Sequence, residues 1–188
     1  QHLWKENKDG GKPITAVFVA DISGSMLGEP LNELKRSLLN GAQYINSDNS
    51  VGLVTYATDV YVNLPIAKFD INQRSLFAGA VTDLDASGST ATFDAILVAL
   101  NMLMNEKNQN PDIKPMLFVL SDGETNIGND LSDAQGILEA LKVPVYTIGY
   151  NADISALDKI SNINEAASIN ADSDDVVYQL KNLFNAQM

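Results

Sequence analysis

Residues 14–26 read ITAVFVADISGSM, and this stretch decides the fold. Ile14 to Ala20 is a continuous β-rich apolar run without polar alternation. A strand that is apolar on both faces belongs inside a sheet covered on both sides, as in parallel sheets flanked by helices. The run stops at Asp21-Ile22-Ser23-Gly24-Ser25-Met26, so an acid and two hydroxyls follow the strand. Pro30 then opens a helical pattern, placed in the first turn where its missing N–H costs nothing. Leu31, Leu34, Leu38, Ala42 and Ile45 fall on one face of that helix.

The rest of the chain repeats this alternation. Val51 to Tyr56, Met116 to Leu120 and Val143 to Ile148 are further apolar runs of the buried-strand kind. Val60 to Ile66 alternates more and contains Pro65, which suits an edge strand. Only Ala57-Thr58-Asp59 links it to the preceding run, a hairpin-length connection that makes the pair antiparallel. Helical faces are formed by Phe93, Ile96, Leu97, Leu100 and Leu103, and by Leu131, Ala134, Ile137, Leu138 and Leu141. Ile154, Leu157 and Ile160 suggest a short helix. Val176, Val177, Leu180, Leu183 and Phe184 suggest the last one. Residues 70–81 are expected to hold another short helix, and Ala166 to Ile169 a final short strand. Strand and helix in turn specify an α/β domain with a mainly parallel sheet and helices on both faces.

A length of 188 residues suits one domain. Residues 1–13, polar and broken by Gly10-Gly11 and Pro13, read as an N-terminal leader, with Leu3 and Trp4 tucked against the domain of residues 14–188. Starting at Gln1 instead of Met, the chain is expected to be a piece of a longer one. Twelve Lys and Arg against 24 Asp and Glu give a net charge of -12, which repels phosphate backbones and argues against nucleic-acid binding. There is no cysteine, which removes thiol catalysis, thiolate metal sites and disulfides. The single histidine is His2, so histidine-based catalysis is excluded as well. No apolar run approaches the ~20 residues that span a bilayer, so this stretch is not expected to insert into a membrane. The compartment is left open.

The polar residues gather where ligands bind in such folds, outside the carboxyl ends of the strands. Asp21, Ser23 and Ser25 follow the first strand. Ser121-Asp122-Gly123-Glu124 ends the Met116 to Leu120 run, and Gly88-Ser89-Thr90-Ala91-Thr92 leads into the helix near Phe93. Carboxylates and hydroxyls are hard oxygen ligands, suited to Mg²⁺, with Mn²⁺ or Ca²⁺ as alternatives. Two neighbouring carboxylates repel unless a cation lies between them. Neutral hydroxyl ligands would leave that ion positive and open to a further anionic oxygen.

These residues resemble the von Willebrand factor A (VWA) domain. Asp21-Ile22-Ser23-Gly24-Ser25 matches its D-x-S-x-S motif, Thr90 matches the distant Thr, and Asp122 matches the distant Asp. The resemblance extends over about residues 14–186 and favours stand-alone bacterial members, on Tyr150-Asn151-Ala152-Asp153. It implies a Rossmann-like three-layer α/β/α fold, with a six-stranded sheet ordered 3-2-1-4-5-6 and an antiparallel third strand at the edge. It implies a metal-ion-dependent adhesion site (MIDAS), with Mg²⁺ held by Ser23, Ser25 and Thr90 and, directly or through water, by Asp21 and Asp122. It further implies a non-catalytic module whose protein partner offers an Asp or Glu carboxylate. In integrin-type members, exchange of direct for water-mediated Asp contacts biases the neighbouring loops and the last helix.

Plainer readings stand beside each residue. Asp21 could cap the next loop, and Ser23, Ser25 and Asp122-Gly123 could be turn residues. Thr90 and Thr92 could be helix caps, with Thr92 alternatively supporting the loop from behind. Glu29, Asp59, Glu124 and Asn126 are candidate rim residues. Asp172 to Asp175 lacks the glycine and later Glu of a hand-type calcium loop and reads as helix capping. Enzyme readings find little: a haloacid-type phosphatase wants a second Asp where Ser23 stands, and Gly24-Ser25-Met26-Leu27-Gly28 is not G-x-S-x-G. The first turn also lacks the glycines of a dinucleotide site. The remaining alternative is an assembly or regulatory subunit that works with an ATPase.

Overall fold

The computed structural model describes residues 13–121, 143–149 and 168–170. The elements in chain order are β1 (Ile14–Asp21), a 3-10 turn (Gly24–Met26), α1 (Glu29–Gly41), a second 3-10 turn (Ala42–Tyr44), β2 (Ser50–Tyr56) and β3 (Val60–Lys68). They continue with α2 (Ile71–Thr82), α3 (Thr92–Gln109), β4 (Lys114–Ser121), β5 (Val145–Gly149) and β6 (Ser168–Asn170). The helices expected around Leu131 to Leu141, Ile154 to Ile160 and Val176 to Phe184 lie outside the described residues, as does the leader up to Lys12.

The six strands form one sheet in the order β3-β2-β1-β4-β5-β6. β2 and β3 are antiparallel, and every other neighbouring pair is parallel. This is the Rossmann-like order and the antiparallel edge that the sequence implies. β1 sits at the centre and is buried along its whole length. Its even-numbered residues Ala16, Phe18 and Ala20 join Met116, Phe118 and Leu120 of β4 in a core under α1 and α2. Phe18 stacks on Phe118 at 4.9 Å between ring centroids and meets Phe77 of α2 edge-on at 5.7 Å. Its odd-numbered residues Val17 and Val19 join Leu117, Val119, Val54 and Tyr56 in a second core under α3. Helices therefore cover both faces, which explains why β1 shows no polar alternation.

Three local details differ from the sequence expectation or go beyond it. The apolar face of α1 was expected to run through Ala42 and Ile45, but the helix ends at Gly41 and tightens into the 3-10 turn. Arg74 of α2 holds that turn, donating from Nη1 to the Ala42 carbonyl at 2.6 Å and from Nη2 to the Ile45 carbonyl at 2.5 Å. Ile45 is still buried, outside the helix. Secondly, α2, which has no inner face assigned from sequence, turns a polar residue inward: Ile71 and Leu76 are 78% and 57% exposed, whereas Gln73 is buried. Gln73 Nε2 donates to the Val51 and Pro65 carbonyls at 2.9 and 3.0 Å, beside the irregular register of β2 and β3 around Gly52. Asp70 caps this helix, its Oδ1 accepting from Gln73 N at 2.9 Å. Thirdly, neither Thr90 nor Thr92 caps α3. The cap position is Ala91, which makes no side-chain bond, and Thr92 is the first helical residue.

Candidate metal centre

Asp21 is the last residue of β1 and lies opposite Tyr56 of β2. Strand alternation puts it on the α3 side of the sheet, in line with Val17 and Val19. The carboxylate is buried. Its Oδ1 accepts from the Ser23 backbone N–H at 2.8 Å, and its Oδ2 accepts from the Ser121 hydroxyl at 2.7 Å. Asp21 thus does cap its own loop, as the plain reading expects, and that role leaves it fixed at the sheet edge where a ligand is expected.

Beyond Asp21 the chain folds into the Gly24–Met26 turn, with Met26 N donating to Ser23 O at 2.9 Å and Leu27 N to Gly24 O at 3.1 Å. Met26 points into the core and anchors the turn. The turn brings the hydroxyls of Ser23 and Ser25 within 3.1 Å of each other, one buried and one exposed. Two side-chain oxygens separated by two residues therefore converge on one point, open on the Ser25 side.

The loop that carries Thr90 is fastened to this turn. Gly24 N donates to Gly88 O at 2.9 Å, and Ser87 N donates to Ile22 O at 2.9 Å. On its other side the loop meets the β2–β3 link, where Ala91 N donates to Ala57 O at 3.0 Å and Ser89 N to Thr58 Oγ1 at 3.0 Å. Gly88 has φ +90, and a Cβ there would come within 2.8 Å of Thr58 Oγ1. Only glycine suits that crossing. Thr90 is buried at the base of this loop. Thr92 sits behind it, with its Oγ1 donating to the buried Tyr56 hydroxyl at 3.2 Å. That is the supporting role the sequence offers as an alternative to capping.

The structure thus places Asp21, Ser23, Ser25 and the Thr90 loop at one edge of the sheet. Asp122, Glu124 and Asn126 lie outside the described residues, as do Tyr150 and Asp172 to Asp175. Of the rim candidates, Glu29 and Asp59 are exposed. Ser121 and Tyr56 were not singled out from sequence. The alternation of β4 carries the signal for Ser121: it shares a face with Leu117 and Val119, as Asp21 does with Val17 and Val19.

Chemically, this edge offers a carboxylate with hydroxyls around it. Among the described residues, no group of three or more His, Cys, Asp or Glu could hold a metal ion. Among the described residues, the donors at this edge are one carboxylate with hydroxyls beside it, a set rich in hydroxyls and low in charge. It fits a hard divalent cation that keeps room for other oxygen ligands, and does not fit a softer metal that wants imidazole or thiolate.

A Rossmann-like sheet whose carboxyl edge carries D-x-S-x-S in this geometry defines a class of interaction domain. The von Willebrand factor type A domain pattern matches residues 16–186, and the chain belongs to that family. The inter-alpha-trypsin inhibitor heavy chain H3 of Bos taurus is 27% identical over 154 residues, covering 76% of this chain and 17% of that protein. The chain spans about a fifth or less of the length of the inter-alpha-trypsin inhibitor heavy chains H3 and H4 that it matches. Among solved structures, the von Willebrand factor type A protein from Catenulispora acidiphila superposes with a TM-score of 0.80 at 18% identity, covering 94% of this chain and 43% of that one. BatB from Bacteroides thetaiotaomicron gives a TM-score of 0.75 at 16% identity, covering 92% and 98% respectively. At those identities the likeness speaks for the fold. Solved structures of this fold thus include a bacterial von Willebrand factor type A protein. The family consists of protein-interaction and adhesion modules, mostly non-enzymatic, whose members commonly bind a divalent metal. Among the described residues, no helix is long and apolar enough to cross a membrane.

Proposed function

We propose that this domain is a divalent-metal-dependent protein-binding module, in which Asp21, Ser23, Ser25, Thr90 and Asp122 hold Mg²⁺, with Mn²⁺ or Ca²⁺ as substitutes. The observation that carries this reading is the convergence of the Ser23 and Ser25 hydroxyls at 3.1 Å, one turn from a buried carboxylate. A turn chosen only for shape has no need to aim two hydroxyls at one point. When bound, the ion offers a coordination position to an anionic oxygen, and a partner protein's Asp or Glu carboxylate is the ligand proposed for it.

The chain's own residues prepare that step. Asp21 is held in one orientation by two hydrogen bonds, so it lies where a cation benefits from its charge. Ser23 and Ser25 present oxygen without adding charge, which keeps an ion attractive to a further carboxylate. The exposed side of Ser25 and Gly24 is the direction from which a partner would approach.

Calorimetric titration of the metal-stripped domain with Mg²⁺ tests the reading. Wild type is expected to take up one ion, and Asp122→Ala to lose that uptake. Equal binding by both proteins would remove Asp122 from the site. Absence of binding to wild type at millimolar Mg²⁺ would overturn the metal-dependent reading.

A further inference from the structure

We infer that Ser121 is a positioning residue of this centre: it fixes the carboxylate of Asp21 and ties β1 to the strand that leads directly into Asp122. The inference rests on the metal-binding reading above.

β1 and β4 are adjacent and parallel, in register through Ala20 opposite Leu120. One residue further on, Asp21 and Ser121 are both buried, on the sheet face that α3 covers. A serine hydroxyl has a single proton to donate. Ser121 gives it to Asp21 Oδ2 at 2.7 Å, a short bond of the kind made to a charged acceptor. The other oxygen, Oδ1, is held from the opposite side by Ser23 N. With one donor on each oxygen, the carboxylate plane cannot rotate about its χ2 bond without breaking a hydrogen bond. The Ser23 contact comes from the same loop and moves with it. The Ser121 contact comes from a different strand and fixes Asp21 relative to the rest of the sheet edge. It therefore sets the spacing between the β1 loop and the end of β4.

Groups that orient a metal ligand from behind commonly change metal affinity by about 10–100-fold when removed. A hydroxyl that served only the strand end would have no such effect. Ser37 provides the comparison. It is also a fully buried serine, and its hydroxyl donates to Glu33 O at 2.6 Å within α1, on the opposite face of the sheet.

Mg²⁺ titration by calorimetry of wild type, Ser121→Ala, Ser121→Thr and Ser37→Ala, with melting of each in EDTA, tests the assignment. Ser121→Ala is expected to raise the Mg²⁺ Kd by about 10–100-fold. Ser121→Thr, which keeps the hydroxyl, is expected to recover most of that loss. Ser37→Ala should bind Mg²⁺ like wild type. Should Ser121→Ala not fold, Ser121→Cys, a weaker donor of similar size, takes its place with an intermediate loss expected. A Ser121 variant without the hydroxyl that binds as wild type does would overturn the positioning role and leave the metal site standing. So would an equal loss in Ser37→Ala. Wild type that binds no Mg²⁺ would overturn both the role and the reading it rests on.

Discussion

The hydroxyl of Ser121 and the carboxylate of Asp21 lie 100 residues apart in sequence and 2.7 Å apart in the fold. The bond closes the carboxyl edge of the two central strands and fixes the acid that starts the D-x-S-x-S motif. Around it, other contacts act on the loops in the same way, and each can be broken singly.

Tyr56 ends β2 and reaches both loops. Its carbonyl accepts from Ile22 N at 2.8 Å, and its hydroxyl accepts from Thr92 Oγ1 at 3.2 Å. Tyr56→Phe keeps the ring and the backbone bond and removes the hydroxyl that accepts from Thr92 at the start of α3. A buried hydrogen bond of this kind contributes about 1 kcal/mol. Urea denaturation should show a loss of that size, and amide exchange should quicken in the first turn of α3. An unchanged midpoint together with unchanged exchange would mean that the hydroxyl contact does not hold the helix start.

Gly88 is where the Thr90 loop crosses the β2–β3 link. Gly88→Ala imposes a side chain at φ +90 and a contact of 2.8 Å with Thr58 Oγ1. Strain at such a position costs on the order of 1–3 kcal/mol. Thr58→Ala removes the steric part but also the bond from Ser89 N, so Gly88→Ala made in a Thr58→Ala background should cost less than in wild type, but still more than nothing. No cost in that background would place the whole cost in the contact, and a neutral single variant would contradict the crossing described above.

Gln73 tests the scaffold separately from the site. Gln73→Leu retains the bulk but leaves the Val51 and Pro65 carbonyls without their amide donor. Each hydrogen bond lost in this way costs about 0.5–1.5 kcal/mol. Chemical denaturation should register a loss in this range or somewhat above it, with Mg²⁺ affinity unchanged because the contact lies under α2. A fall in Mg²⁺ affinity would show that the β2–β3 pairing reaches the metal edge.

Much of the fold was legible because its signals are local. The unbroken apolar run of β1 reports burial on both faces, and Pro65 with the three-residue link reports an antiparallel edge strand. The Asp21, Ser23 and Ser25 cluster was legible too, since its spacing lies within one turn. What sequence did not show depends on register between distant segments. Ser121 becomes a partner of Asp21 only when β4 lies beside β1 in the observed register. Thr92 looks like a cap until Tyr56 is placed beneath it. α2 hides its inner face because the buried residue is the polar Gln73 while Ile71 and Leu76 face outward. The apolar spacing runs past the end of α1 because Ile45 is buried for a tertiary reason, with its carbonyl held by Arg74 from another helix.

In the proposed module an ion sits between the hydroxyls of Ser23 and Ser25. Anomalous diffraction from crystals of the domain soaked in Mn²⁺ addresses it most directly. The account predicts one manganese peak at bonding distance, roughly 2.0–2.3 Å, from Ser23 Oγ and Ser25 Oγ, with Asp21, Thr90 and Asp122 around it. A manganese peak elsewhere, with none at these hydroxyls under saturating metal, would contradict it.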